Sequence, residues 1–110
     1  MENKFSNEQV QTIQEQIDGI RNDEKRLNAL IRLNKNEDFI FLIMEEFFKT
    51  EAVNCVKLFD SDIIYNNDKV KVMNEAKLIA ISGLQRWFNN VMAAGSNADE
   101  KIEALEEAIK

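Results

Sequence analysis

The sequence predicts an all-α protein, an antiparallel bundle of three to four helices that begins with a long heptad-like helix. Apolar residues recur at intervals of three and four over most of the chain, which is the spacing of one face of an α-helix. The 110 residues include no proline and only three glycines, and no segment alternates polar and apolar residues as a half-buried strand does. A chain of this length suits one domain, so we expect residues 1–110 to form a single helical domain.

The first helix is predicted over residues 6–34. Ser6 and Gln9 have the spacing of a capping box, in which the hydroxyl and the amide each bind a free backbone N–H of the first turn. The apolar residues that follow are spaced 3-4-3-7-4, a heptad seam interrupted at Glu24 and typical of a short coiled coil. The seam consists of Val10, Ile13, Ile17, Ile20, Leu27 and Ile31.

The second helix is predicted over residues 37–60, with its start near Asn36 or Asp38, because the residues just before them favour a turn. From Phe39 to Phe59 the apolar residues are so dense that they cover more than one face of a helix. We therefore expect this helix at the centre of the core.

Polar residues then bracket a short apolar segment, which predicts a loop over residues 61–67. The third helix is predicted over residues 68–94 and carries a long apolar stripe. We expect Trp87 and Phe88 to lie in the core, the alternative being an exposed aromatic anchor for a partner. The predicted core stripe is Val70, Met73, Ala76, Ala80, Leu84, Trp87, Phe88, Val91 and Met92.

A final helix is predicted over residues 97–109. Gly95 is expected to end the preceding helix with a positive φ, and Ser96 with Asp99 is expected to cap the new one. Its apolar residues are spaced 4-3-4 and form a second seam. They are Ala98, Ile102, Leu105 and Ile109.

These two seams are the predicted protein-binding residues. They pair with another chain, most simply a second copy, or they dock within the same subunit, and the spacing alone leaves both alternatives open. The predicted contact residues are Val10, Ile13, Ile17, Ile20, Leu27, Ile102, Leu105 and Ile109.

The net charge of −6 disfavours direct binding to nucleic acid or to anionic lipid. The longest apolar run, Phe39 to Met44, is too short to cross a membrane, and residues 1–7 lack the pattern of a secretory signal. The lone Cys55 has apolar neighbours, so we expect a buried thiol in a reducing cytosol.

The residue types needed for most catalysis and metal binding are missing. The chain has no histidine and a single cysteine, which excludes the usual zinc and di-metal sites. A calcium loop starting at Asp60 would need glycine at Tyr65 and glutamate at Lys71. We therefore expect a protein that is not an enzyme, with no catalytic residue, no metal, no cofactor and no small-molecule substrate.

Residues 30–58 carry the pattern LIRLxxNxDFxxxIxxxFFxxEAVxxVxL, which resembles small all-helical proteins of tailed bacteriophages whose role is unassigned. The resemblance continues through residues 81–88, the turn at Gly95 and the acidic last helix. It implies a protein made in the cytoplasm of an infected bacterium, where it acts in particle assembly or as a component of the virion. It brings no catalytic residues.

Two hypotheses of function follow. The first is an oligomeric structural or assembly protein of a phage particle that acts through helix–helix contacts. The second is an acidic inhibitor or regulator of a host enzyme, such as a polymerase, a nuclease or a defence protein, because acidic side chains can imitate a phosphate backbone.

Overall fold

In the computed structural model, residues 6–109 are described and every regular element among them is a helix. The all-α class is therefore confirmed over that range. Residues 1–5, on which part of the signal-peptide prediction depends, lie outside it. The elements are α1 (Asn7–Leu33), α2 (Glu37–Phe39), a π-helical segment (Ile40–Glu51), α3 (Ala52–Phe59), α4 (Asp62–Tyr65), α5 (Asp68–Gly95) and α6 (Ala98–Ala108).

The chain divides into two compact units. Unit 1 comprises Met1–Ile31 and Asn90–Lys110, and unit 2 comprises Arg32–Asn89. Both α1 and α5 contribute residues to each unit.

Unit 1 begins with the predicted capping box. The Ser6 N–H donates to Gln9 Oε1 at 2.8 Å, and the Gln9 N–H donates to Ser6 Oγ at 3.1 Å. Local chemistry therefore fixes the start of α1, as expected. The buried apolar residues of this unit come from α1, the end of α5 and α6. They are Ile17, Leu30, Val91, Ala98 and Ile102.

Gly95 has a different role from the one predicted. Its φ is not positive, and Asn97, with φ of 58°, adopts the left-handed conformation instead. A Cβ on Gly95 would lie 2.5 Å from the Leu27 Cβ and 2.8 Å from the Asp23 carbonyl oxygen. Gly95 is therefore required because α1 passes too close for any side chain.

The predicted cap of the last helix is also wrong. Ser96 Oγ donates to the Met92 carbonyl oxygen at 2.6 Å, which keeps the hydroxyl on α5. Asn97 is the N-cap residue, and its side chain makes no capping hydrogen bond. The Asp99 carboxylate accepts a hydrogen bond from Arg21 instead.

Helix α2 of unit 2 begins at the predicted cap, where the Phe39 N–H donates to Asn36 Oδ1 at 3.0 Å. The expected α-helix over residues 37–60 is correct only at its two ends, because Ile40–Glu51 winds as a π-helix. The Thr50 hydroxyl accordingly reaches the carbonyl oxygen of Glu45, five residues back, at 3.3 Å. Since a π-turn takes more residues than an α-turn, buried and half-buried residues recur here every four positions. They include Ile40, Met44, Phe48 and Ala52.

Within unit 2, α5 packs antiparallel to the helical segments of residues 37–59. The ring centroids of Phe39 and Phe88 lie 6.0 Å apart. Further along, Asn74 Nδ2 donates to the Cys55 carbonyl oxygen at 2.9 Å. Residue numbers therefore rise along the segment of residues 37–59 while they fall along the α5 residues that it contacts, which is an antiparallel arrangement. Cys55, with 3% of its surface exposed, is buried as expected.

The predicted loop contains one turn of helix, α4, that carries its apolar residues. Ile64 is buried, whereas Ile63 and Tyr65 are exposed. The short apolar segment therefore contributes one side chain to the core and leaves two outside it.

Candidate protein-binding surface on helix α5

The predicted contact residues of unit 1 lie within its interior or at its margin. Ile17 and Ile102 are buried. Whether these residues also meet a second chain stays a prediction. The other predicted contact residues are half-buried: Val10, Ile13, Ile20, Leu27, Leu105 and Ile109.

Polar contacts hold α1 and α6 together beside these residues. Arg21 Nη1 lies 3.1 Å from Asp99 Oδ1 and 3.2 Å from Glu24 Oε1. The hydrogen bond to Asp99 is the main cause that raises the pKa of Arg21, and Glu24 adds to it. Glu24, which interrupts the predicted heptad seam, is thus paired with a cation of its own helix.

Unit 2 contains most of the large apolar side chains that are exposed in the described part of the chain. Eleven of thirteen belong to it, and only Ile31 and Met92 belong to unit 1. A soluble protein rarely leaves such residues together in solvent unless another molecule covers them. The eleven are Leu33, Phe41, Leu42, Val53, Val56, Ile63, Tyr65, Val72, Met73, Ile79 and Trp87.

Helix α5 carries two apolar stripes, an inner stripe and an outer stripe. The structure buries the inner stripe, of which the sequence predicted only part. The inner stripe, which includes the polar Asn74, faces the core of unit 2. The predicted stripe is wrong at five residues, all of which are exposed: Met73, Ala76, Ala80, Trp87 and Met92. The inner stripe comprises Val70, Asn74, Leu78, Ile81, Leu84 and Phe88.

Partner geometry explains why Asn74 displaces Met73 from the inner stripe. The Asn74 amide finds the backbone carbonyl of Cys55 and is thereby satisfied although only 5% of the residue is exposed. A buried amide is tolerated where such a partner exists. Sequence spacing contains no information about that carbonyl, so it could not distinguish the two stripes.

The second stripe forms what we name the outer face of α5. Val72, Ala76, Ile79 and Gly83 follow one another at intervals of 4-3-4, which places them on one side of the helix. Met73, Ala80 and Trp87 line one edge of that side. The 4-3-4 spacing is visible in the sequence and could have identified Val72, Ile79 and Gly83 as members of one helix face. The exposed fractions of the large members are 62% for Val72, 64% for Met73, 72% for Ile79 and 55% for Trp87.

Small residues occupy the middle of the outer face. Ala76, Ala80 and Gly83 surround Ile79 there and leave shallow positions beside it. A Cβ added at Gly83 would have no neighbour within 4 Å, so nothing in unit 2 fills the space above it. A surface of this kind lets the backbone of a second helix approach closely.

Trp87 connects this face to the aromatic cluster inside unit 2. Its ring centroid lies 5.7 Å from that of Phe88, which in turn lies 5.8 Å from that of Phe48. Phe88 is half-buried and contributes to the core as expected, whereas the core position expected for Trp87 is wrong. Packing against Phe88 orients the exposed indole.

Charged residues flank the apolar stripes. On the inner side Lys77 Nζ forms an ion pair with Glu51, and hydrogen bonding to that carboxylate is the main cause that raises the pKa of Lys77. On the opposite edge of the outer face lie Glu75 and Arg86. Among the described residues neither Glu75 nor Arg86 forms an ion pair.

Residues 6–109 contain no group of three or more side chains suited to holding a metal ion. Nor is any helix in this range both long enough and apolar enough to cross a membrane. No protein family model matches the chain, and no curated protein or solved structure matches it.

Proposed function

We propose that this protein acts without catalysis, by binding other protein chains through helix–helix contacts, with the outer face of α5 as its main binding surface. The observation that carries the proposal is the exposure of four large apolar side chains in one stripe of one helix: Val72, Met73, Ile79 and Trp87. Aromatic and aliphatic groups grouped in this way are the usual centre of a protein–protein contact.

The energetics favour contact through the whole stripe. Full burial of one Val, Ile or Met side chain stabilises by roughly 1.5–3 kcal/mol. Association costs an estimated 4–15 kcal/mol in lost freedom of motion. One such residue is therefore insufficient, whereas a stripe of four with a matching apolar surface opposite it is of the right order.

The antiparallel bundle of three to four helices expected from the sequence belongs to this proposal. In it, helices from more than one chain complete the bundle, and the seam residues of unit 1 supply a second contact. The resemblance of residues 30–58 to small helical phage proteins supports placing this association in particle assembly, in the infected cell or in the virion.

The test compares the size of the full chain with that of a triple variant, Val72→Ser with Ile79→Ser and Trp87→Ser. We expect the natural chain to sediment as an oligomer, or to bind phage proteins from an infected lysate. The triple variant is expected to lose these contacts while its helical circular dichroism is kept. Tyr65→Ser, which alters an equally exposed apolar residue outside α5, serves as the control and should change nothing. A natural chain that neither self-associates nor binds phage protein contradicts the proposal.

The second candidate, an acidic regulator of a host enzyme, is favoured by the surface of α6. This helix contains five acidic residues and one basic residue, and Asp99, Glu100, Glu103 and Glu106 are all exposed. Such a surface binds a cationic cleft with strong salt dependence. Recovery of one stoichiometric host protein, released by salt, would favour this candidate over assembly.

A further inference from the structure

We propose that the outer face of α5 binds the same face of a second copy of this chain, with the two α5 helices antiparallel about a two-fold axis that passes between Ala80 and Ile81. This inference rests on the proposed function and specifies the partner and the register. In this register residue i of one helix lies opposite residue 161 − i of the other, so the contact is self-complementary, as a two-fold interface requires.

Charge pairing fixes both the direction and the register. Glu75 and Arg86 are eleven residues apart, which is three helical turns or about 16 Å, and therefore lie on the same edge of α5. In an antiparallel pair each Glu75 meets Arg86 of the other copy, which gives two symmetric ion pairs. In a parallel two-fold pair the two copies of Glu75 would instead lie on opposite edges of the contact, and neither would meet Arg86 of the other copy. Neither residue has an ion partner among the described residues, so both charges are free to pair between copies.

No like charges meet in this register. The remaining charged residues of α5 lie opposite uncharged positions of the other helix. Unit 2 as a whole has nine acidic and eight basic residues, so its net charge of −1 opposes self-association only weakly. The remaining charged residues of α5 are Asp68, Lys69, Lys71 and Lys77.

The apolar residues are also complementary in size. Ile79 of each copy lies opposite Ser82 and beside Gly83 of the other, where nothing else comes within 4 Å of an added Cβ. Trp87 of each copy lies beside Met73 of the other, and a thioether against an indole is a favourable contact. Ala80 lies near the axis, where its small side chain lets the two backbones approach.

A charge-swap series in the full chain tests the register. Glu75→Arg and Arg86→Glu each place like charges opposite one another, so each is expected to weaken the dimer about tenfold. The double variant E75R/R86E restores two opposite-charge pairs, and its dissociation constant is expected to return close to that of the natural chain. Matched controls are Glu45→Arg and Lys57→Glu, which make the same kind of change at exposed positions outside α5. Both controls are expected to leave the dimer unchanged.

The outcomes separate this inference from the proposed function. Weakening by both single variants with recovery in the double variant supports the antiparallel α5 pair. A natural chain that dimerises with all three variants unchanged overturns the pair, and the proposed function then stands on another surface. A natural chain that stays monomeric while binding a phage protein overturns the pair as well, and again leaves the proposed function intact. A natural chain that neither dimerises nor binds a phage protein overturns both the α5 pair and the proposed function.

Cysteine cross-linking gives a second, geometric test. Ala80→Cys places two thiols near the axis, so mild oxidation is expected to give a covalent dimer. Cys55 is buried and does not compete. Lys57→Cys, exposed and outside α5, is the control and is expected to remain uncross-linked. Absence of the Ala80→Cys cross-link in a chain that still dimerises overturns the register.

Discussion

The two units of this protein use their apolar residues in opposite ways. In unit 1 the heptad residues other than Ile31 are buried or half-buried, and the sequence of this unit contains eleven acidic and six basic residues. In unit 2 the apolar residues exceed what its own interior covers, and eleven large ones are exposed. The net charge of −6 therefore belongs almost entirely to unit 1, at −5 against −1.

The two units therefore differ both in net charge and in exposed apolar surface, and each difference has its own consequence. A high net charge favours solubility and opposes close approach of like molecules. An almost neutral surface with exposed Ile and Trp favours association. We infer that unit 2 supplies the main binding surface. Contact of another chain with the seams of α1 and α6, which the sequence predicts, stays a prediction.

The largest expected effect comes from shortening one isoleucine in each unit. Ile102→Ala removes a buried side chain of unit 1, and the free energy of unfolding is expected to fall by about 2–5 kcal/mol. Ile79→Ala, at a residue that is 72% exposed, is expected to change the unfolding of the dilute chain by less than about 0.5 kcal/mol. Urea denaturation at low protein concentration measures both. Equal losses would remove the distinction between the units.

A glycine pair tests how tightly unit 1 is packed. Gly95→Ala brings a methyl group against Leu27 and the Asp23 carbonyl, and this overpacking is expected to cost about 1–3 kcal/mol. Gly19→Ala is the matched control, because it lies in the same unit with nothing within 4 Å and is expected to gain roughly 1 kcal/mol. Thermal unfolding of the two variants should therefore shift in opposite directions. Stabilisation by both would contradict the close approach at Gly95.

Asn74 tests why unit 2 buries one stripe of α5 and exposes the other. Asn74→Ala removes the hydrogen bond to the Cys55 carbonyl, and a loss of about 0.5–1.5 kcal/mol is expected. Asn54→Ala, at an exposed position of α3, is the control and should have little effect. If the two variants unfold alike, the amide is not what selects the inner stripe.

The smallest effect is expected at the ion pair of Lys77 with Glu51, because both side chains are accessible to solvent. Glu51 raises the pKa of Lys77 above its ordinary value of 10.5. The pair therefore contributes its full stabilisation below that pH and loses it as the pH rises through the raised pKa. Glu51→Gln should accordingly lower the melting temperature slightly at neutral pH, and the difference from the natural chain should disappear in strong alkali and in high salt. A difference that persists in alkali would contradict this sign.

The starts of the first two predicted helices were predictable because their causes are local. Ser6 with Gln9, and Asn36 with Phe39, make their capping bonds within three residues of sequence. The central position of the second helix was also predictable from its apolar density. The structure nevertheless winds Ile40–Glu51 as a π-helix, and the four-residue spacing of Ile40, Met44 and Phe48 was the only indication of it.

The choice between two apolar stripes was not predictable, because it depends on a partner distant in sequence. Met73 and Asn74 are neighbours, and apolar spacing favoured Met73 for the core. Gly95 illustrates the same limit, because glycine is required there by the close approach of Leu27 and not by the turn that follows. Local rules therefore identified the elements, whereas the exposed outer face of α5 was decided by what the rest of unit 2 left uncovered.

Sedimentation equilibrium of the full chain tests the central claim most directly. We expect a mass approaching twice 12.8 kDa for the natural chain and for E75R/R86E, and a clearly lower mass for Glu75→Arg at the same concentration, because its dissociation constant is about tenfold higher. A natural chain that remains at 12.8 kDa at every concentration, or a dimer that is insensitive to Glu75→Arg, would contradict the pairing of α5 with its copy.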